Sequence, residues 1–303
     1  MSNPVISICI PTFNRAKCLK QCLESIVEQF KDPQIRESVE VVISDNASID
    51  DTESMIKEFQ KEFSNIFYYR NLENIRVDRN ILNAVDKASG EWVWFLGDDD
   101  ALFPGAIDYI MQELKLGRFK YCLVNCFGYD NNLQNPAVRD PNFMIESNQY
   151  FGTLRECVTK MDRKNLVGYF CGLSIQVFKR DLWQAWPNKQ EYIGSNGIHM
   201  HILLSAMKEQ NFAIISKPLV KLRAANIRWD TFPGLETLMK RARATTKGLL
   251  WILETYRIPY SKLAMKIEQN RILFVSWATM VLKKYLFKNQ RSRDLIKKLL
   301  GKL

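Results

Sequence analysis

Two hydrophobic periods alternate along the first 126 residues. Residues 5–10 form a β-rich apolar run. Cys18, Leu19, Cys22, Leu23, Ile26, Val27 and Phe30 then recur at helical spacing. Residues 39–44 read as a second strand. Ser48 and Asp51 read as a capping pair for a helix carrying Met55, Ile56, Phe59 and Phe63. Residues 66–70 give a third strand, 77–88 a helix and 91–96 a fourth strand. Pro104 is placed to open the next helix, and 121–126 is a further strand. This βαβαβαβ order predicts an α/β fold, with a Rossmann-like, mainly parallel sheet covered by helices on both faces.

The rhythm then changes. Residues 130–141 carry Asn, Pro and Asp and read as a loop. Residues 169–178 read as a strand, 179–186 and 198–210 as helices, and 212–216 as a last strand. From Leu235 onward the pattern is helical, basic and amphipathic. The chain therefore divides into a domain over residues 1–234 and a C-terminal helical segment over 235–303.

Charge sharpens that division. The net charge is +10. Residues 235–303 hold sixteen Lys and Arg against four Asp and Glu, so the rest of the chain is slightly acidic. Leu249, Leu250, Ile252, Leu253 and the run 272–282 give apolar faces followed by clustered lysines and arginines. That pattern fits either an interfacial helix on an anionic membrane surface or a helical subdomain with a solvated basic side. The run 272–282 is too short to span a bilayer, which takes roughly 20 residues. The opening MSNPVISICIPTFN reads as a strand and a turn rather than a secretory leader. Seven cysteines without a leader predict a reduced, cytoplasmic protein. Cys18/Cys22 and Cys122/Cys126 each fall on one face of an element and read as buried structural residues.

In a parallel sheet, ligands gather beyond the carboxyl ends of the strands. Pro11-Thr12-Phe13-Asn14-Arg15, Asp45-Asn46-Ala47-Ser48, residues 71–80 and Gly97-Asp98-Asp99-Asp100 lie there. No loop reads G-x-G-x-x-G or G-x-x-x-x-G-K-[ST], which argues against a nicotinamide site and a P-loop. A divalent cation on carboxylates is the other common way to neutralise a diphosphate, and Asp98–Asp100 could supply them for Mg²⁺ or Mn²⁺. Asp45 also has an ordinary reading as an Asx-turn. His199 and His201 point apart on a helix, so a shared metal is not expected.

Three segments carry a resemblance: SICIPTFNRAKCLKQCLESI, VEVVISDNASIDDT and GEWVWFLGDDDALFPGAI. In order and spacing they resemble the blocks of a family 2, GT-A-type glycosyltransferase of the bacterial surface-polysaccharide and O-antigen kind. GLSIQVFKRDLW is similar, more loosely, to the family's acceptor-side strand and helix. The resemblance implies that Pro11, Thr12 and Asn14 line a nucleotide pocket. It implies that Asp45 meets the nucleobase with Ser48 nearby, and that Arg79 and Asn80 lie near base and diphosphate. The acidic run matches the DXD signature with its first acid replaced by Gly97. The ribose contact then passes to Asp98, Asp99 is the metal ligand, and Asp100 falls on the catalytic side.

The family's catalytic acid would fall at Ile198 or His199, which leaves His199 as the substitute base and Glu191 as a less well-placed one. Arg223, Arg228 and Trp229 are placed to fold over bound donor. The implied reaction is metal-dependent, inverting transfer from a nucleotide-sugar donor to a hydroxyl of a lipid-linked glycan acceptor, in bacterial polysaccharide assembly. The enzyme would be peripheral on the inner face of the plasma membrane, with no nucleic acid as partner. The competing classes are a nucleic-acid-binding protein using the basic tail and a sugar-phosphate nucleotidyltransferase.

Overall fold

The structure is a computed structural model, and it describes residues 4–137, 143–161, 170–195, 197–223 and 251–257. The chain divides into two compact units, residues 1–227 and 228–303. In the second, residues 251–255 are helical, with Ile252, Leu253 and Tyr256 buried. The boundary expected at 234/235, Arg228, Trp229 and the basic run after residue 257 lie outside the described residues.

The first unit is built on one sheet. Its leading part follows the sequence pattern closely. Strand β1 (Ile6–Thr12) runs parallel to β2 (Val39–Asp45) and to β4 (Trp92–Phe95), and β2 runs parallel to β3 (Ile66–Arg70). All of β2 and β4 is buried, as strands in the middle of a doubly covered sheet are. Helix α1 (Ala16–Val27) buries Leu19, Cys22, Leu23 and Ile26. The short α2 (Pro33–Ser38), with Pro33 at its first position, was not legible in the pattern. Helices α3 (Thr52–Glu62) and α4 (Arg76–Asp86) complete the crossovers.

Ser48 and Asp51 do not form the expected capping pair. Asp50 takes that place: its Oδ1 accepts from Thr52 N at 3.2 Å, and its Oδ2 accepts from Ala16 N at 3.0 Å. One carboxylate therefore satisfies the amino ends of two helices. Helix α5 (Ala106–Lys115) starts two residues after Pro104, because Gly105 intervenes at φ 73°.

Beyond β4 the sheet is mixed, which corrects the expectation of a mainly parallel one. The order is β3-β2-β1-β4-β8-β6-β9-β5. Here β5 is Ala101–Leu102, β6 is Tyr121–Tyr129, β8 is Gln176–Lys179 and β9 is Phe212–Arg223. Strand β8 is antiparallel to both β4 and β6. The cause is the placement of Ser174. Its carbonyl accepts from Trp94 Nε1 at 2.9 Å and its Oγ accepts from Gly97 N at 2.8 Å. Those bonds pin residue 174 at the carboxyl end of β4, and a strand leaving that edge must run back along β4. The expected strand over 169–178 shrinks accordingly, and helix α7 (Arg180–Ala185) follows at once.

Strand β7 (Gln149–Phe151), antiparallel to β9, and helix α6 (Leu154–Lys160) carry no clear periodic signal. Helix α8 (Ile198–Ala206) is buried around most of its surface. Strand β9 continues seven residues past its expected end at Ser216. The ladder with β6 slips between Val124 and Cys126, and Asn125 Nδ2 bonds Ser216 O at 2.8 Å across the irregularity. Pro218, which reads as a strand breaker, sits in that bulge.

At the amino ends of the parallel strands, Glu40 of β2 is buried and ties the starts of β1, β2 and β4 together. Its carboxylate accepts from Ser7 Oγ, from Ser89 N at 2.6 Å and from Gly90 N at 3.2 Å. A Cβ on Gly90 would lie 2.6 Å from Ser7 Oγ and 2.7 Å from Ser7 N. Gly90→Ala should therefore overpack this junction and cost about 1–3 kcal/mol. Thermal unfolding should show a drop in Tm of roughly 2–10 °C. A Tm equal to wild type would show that β1 shifts without strain.

Candidate active site

The turn after β4 turns three adjacent carboxylates in different directions. Asp100 N closes it on Gly97 O at 3.1 Å. Asp98 faces β1: its Oδ2 accepts from Thr12 Oγ1 at 2.7 Å, and its Oδ1 from Arg15 Nη1 at 3.1 Å. Asp99 is half-buried and accepts from the same Arg15 Nη1 at 2.7 Å. Asp100 faces the core, where it accepts from Ser174 Oγ and, at 2.9 Å, from Arg223 N. Arg223 Nε returns to Asp99 O at 2.7 Å, and its Nη2 reaches Gln21 Oε1 at 2.8 Å. Arg223, expected to fold over a ligand, instead fastens the turn.

The space at position 97 is tight. A Cβ there would lie 3.0 Å from Asp100 Oδ2 and 3.1 Å from both Asp99 Oδ1 and Ser174 Oγ, so these side-chain ends would have to give by a few tenths of an ångström.

The turn forms one wall of a cleft of about 520 Å³ at the carboxyl edge of the sheet. Of the residues expected there, Pro11, Thr12, Asn80, Asp98, Asp99 and Asp100 line it. Asn14, Asp45, Ser48, Arg79 and His199 do not. The lining also includes Phe13, Arg15, Asn46, Asn74 and Arg76, all within the loops singled out by sequence, and Leu173 and Ser174, which only the antiparallel turn brings in. A larger cleft of about 670 Å³, between Phe30, Arg36, Phe59 and Phe63, lies away from these strand ends.

Several expected ligand residues are occupied with holding the loops. Asp45 is fully buried. Its Oδ1 accepts from Ser48 N at 3.0 Å and from Ser48 Oγ, and its Oδ2 accepts from Tyr68 OH at 2.6 Å. Ser48 Oγ in turn accepts from Asn14 N at 2.8 Å, and Asn14 Oδ1 accepts from Ile49 N at 2.8 Å. Asn80 donates to Ser44 O at 2.9 Å and accepts from Asn71 Nδ2 at 2.9 Å. Arg79 is exposed on α4. Asn46 takes the place at the cleft that its neighbour Asp45 was expected to fill. Its Oδ1 accepts from Ile75 N and its Nδ2 donates to Asn74 Oδ1, both at 2.8 Å. The three loops each contain a non-glycine residue in the left-handed region: Asn14 (φ 53°), Ala47 (φ 64°) and Arg76 (φ 69°). Such conformations cost about 1–2 kcal/mol each and gather where a loop's shape is fixed by function.

His199 lies in the core on α8, 5% exposed, edge-on to Phe95 at 6.4 Å. Its Nε2 is 3.0 Å from Cys171 O. Burial pushes its pKa down to about 4, against the opposing pull of that carbonyl and of Asp78, so the ring is neutral at pH 7. Asp78, reaching from α4, accepts from Gly194 N at 2.7 Å beside the amino end of α8. His201 stacks on Tyr192 at 5.0 Å. Glu191 is exposed.

Among the described residues no three His, Cys, Asp or Glu side chains converge as a ready cation cage. What the cleft offers is a pair. Asp98 and Asp99 already share one cation, the Arg15 guanidinium. A pair of carboxylates suits Mg²⁺ or Mn²⁺ when substrate phosphates complete the shell. The residues present thus fit such an ion.

The buried acids give the fold a pH signature. Burial raises Asp98 to about 6, with Arg15 pulling down and Asp99 pushing up. Burial and then Asp99 raise Asp100 to about 7, against the bonds from Ser174 and Arg223. Both groups stay protonated in the folded protein at pH values where the unfolded chain, with carboxyls near 3.8, has released its protons. Their contribution is therefore full at low pH and falls as pH rises from about 4 through 7. In metal-free buffer, Asp98→Asn/Asp100→Asn should lose less Tm than wild type between about pH 4 and pH 8. Parallel declines would show that neither acid is raised.

A profile described as Glycosyl transferase family 2 matches residues 7–182, which contain the cleft's acidic turn. The chain is 32% identical over 235 residues to an abequosyltransferase of Salmonella typhimurium, covering 73% of this chain and 67% of that protein. It is 32% identical over 215 residues to the GalNAc(5)-diNAcBac-PP-undecaprenol beta-1,3-glucosyltransferase of Campylobacter jejuni, covering 70% and 62%. The chain thus spans about two thirds of the length of the first relative and less of the second. S. aureus TarS in complex with UDP superposes with a TM-score of 0.58 at 15% identity, covering 93% of this chain and 72% of that one. The mannosyltransferase PcManGT from Pyrobaculum calidifontis, in complex with GDP-Man and Mn²⁺, gives 0.54 at 15% identity, covering 99% and 81%. At those identities the structural likeness is one of fold, the GT-A-like mixed α/β sheet with flanking helices. With the profile spanning more than half its length, the chain belongs to glycosyl transferase family 2.

Proposed function

We propose that this glycosyltransferase moves a sugar from a nucleotide-sugar donor to a hydroxyl of a lipid-linked glycan acceptor, with inversion, in bacterial polysaccharide assembly. The observation that carries the reading is the Asp98–Asp99 pair, presented in a polar cleft at the carboxyl end of β4. The names of the two relatives, an abequosyltransferase and a glucosyltransferase, support the context without fixing this chain's sugar.

In this reading Asp99, with Asp98, would hold Mn²⁺ or Mg²⁺, which supplies Lewis-acid stabilisation of the leaving diphosphate. Pro11 and Thr12 form the floor under the nucleotide. Asp45, Ser48, Asn14 and Asn80 act through the loops they fasten. The acceptor oxygen attacks the anomeric carbon from the face opposite the diphosphate. The carbon–oxygen bond to the diphosphate breaks, and the acceptor's proton passes to a carboxylate. Asp100 is assigned that proton, since it lines the cleft next to the Asp98–Asp99 pair. Ser174 and Arg223 orient it.

Among the described residues no helix is long and apolar enough to cross a membrane. Contact with an anionic leaflet is assigned to the basic segment 235–303. Its removal from residue 286 onward should reduce sedimentation with phosphatidylglycerol vesicles, and unchanged sedimentation would end that assignment.

Turnover of a panel of UDP-, GDP-, CDP- and dTDP-sugars with Mn²⁺ tests the reaction. Asp99→Ala should lower turnover by roughly 10²-fold or more without changing the circular dichroism spectrum. His199→Gln should lower Tm yet keep turnover per folded molecule within about threefold, because the ring is buried and neutral. A folded His199→Gln with turnover down about 10²-fold would instead return the base to α8.

A further inference from the structure

Arg15 is the cleft residue that touches both carboxylates of the pair, and the reading above gives it no role. It is the residue before α1, 43% exposed at the side chain, and it lines the same cleft as the acids. Its Nη1 lies 3.1 Å from Asp98 Oδ1 and 2.7 Å from Asp99 Oδ2. One nitrogen thus bridges the two carboxylates expected to meet the metal. A guanidinium and a divalent ion on this pair draw on the same two negative charges, and at this spacing the two cations repel.

We infer that Arg15 is an internal counter-cation that competes with the divalent ion for Asp98 and Asp99, and that a donor diphosphate releases it. The inference rests on the transferase reading for the identity of the donor, but not for the competition itself. Without a metal, Arg15 offsets the charge of the pair. A metal arriving alone must displace it into water. A nucleoside diphosphate offers the guanidinium a better partner, because its planar fork binds phosphate oxygens in bidentate fashion. The same side chain then stops opposing the metal and helps hold the leaving group. Metal and nucleotide should each bind weakly alone and tightly together, and the coupling is reciprocal.

The residue can make this exchange. Thr12, the other donor to Asp98, is buried at the end of β1 and stays in place. Asp100 is held from the opposite side by Ser174 and Arg223. Moving Arg15 therefore gives up its own bonds to Asp98 and Asp99 while Thr12, Ser174 and Arg223 keep the turn in place.

The test is a Mn²⁺ binding isotherm followed by electron paramagnetic resonance of the free ion, with and without UDP or GDP. Wild type should bind Mn²⁺ weakly, and the better nucleotide should tighten it by roughly tenfold or more. Arg15→Gln, which keeps length and loses charge, should bind Mn²⁺ alone roughly tenfold tighter than wild type and gain under about threefold from nucleotide. Arg15→Lys, which keeps the charge, should stay near wild type in metal alone. Arg15→Gln binding Mn²⁺ no tighter than wild type, or more weakly, overturns the proposal. If that variant does not fold, the Nε–H NMR signal of Arg15 in wild type, identified by its loss in Arg15→Lys, decides. It should shift on adding Mg²⁺ with nucleotide, and an unmoved signal overturns the proposal equally. A wild type that binds Mn²⁺ but neither UDP nor GDP, and turns over no nucleotide-sugar, would sink the transferase reading. The metal-only comparison would still decide the role of Arg15.

Discussion

Three carboxylates within a single turn have to be kept apart, and the first unit's functional edge is organised around doing so. Asp98 is satisfied from β1 through Thr12, and both Asp98 and Asp99 from the loop before α1 through Arg15. Asp100 is satisfied from β9 through the Arg223 backbone and from the approach to β8 through Ser174. Strands distant in sequence are thus fastened to one point. The two buried acids, Asp98 and Asp100, each keep a second donor when one is lost, and losing both would leave an unpaired carboxylate in a low-dielectric site, far more costly than a missing contact.

The length of β9 follows from this. A strand ending at Ser216 would leave Asp100 without its backbone donor. The slip opposite Asn125 absorbs Pro218 and lets the chain run on to Arg223. In the same way, Trp94 belongs to the apolar core of β4 yet donates its indole N–H to the Ser174 carbonyl. Core packing and the placement of the acids are coupled through that one side chain.

What was legible in the sequence was local. The strands and helices from β1 to α4, the short α2 apart, declare themselves in their own periodicity. The acidic turn and its loops were legible because strand ends are where ligands gather. Direction was not legible: nothing in the Gln176–Lys179 run says whether it lies parallel or antiparallel to β4, and the answer comes from Ser174, held by residues about 80 positions away in sequence. Side-chain facing was not legible either. Asp45 and Asn46 are neighbours in one loop, yet Asp45 turns inward to Ser48 and Tyr68 while Asn46 lines the cleft. A motif fixes the loop, and the alternation of a strand end decides which of its residues meets the ligand. His199 stood out as the titratable group nearest the expected base. The apolar residues all round α8 were the signal that it is packed in the core.

The hydroxyl of Ser174 and the bare backbone of Gly97 occupy one volume between them. A side chain at 97 would press on the serine hydroxyl and on the carboxylate that hydroxyl serves. The orientation of Asp100 therefore answers to the size of the residue three positions before it, and the glycine works as a spacer for the acid as much as a link in the turn.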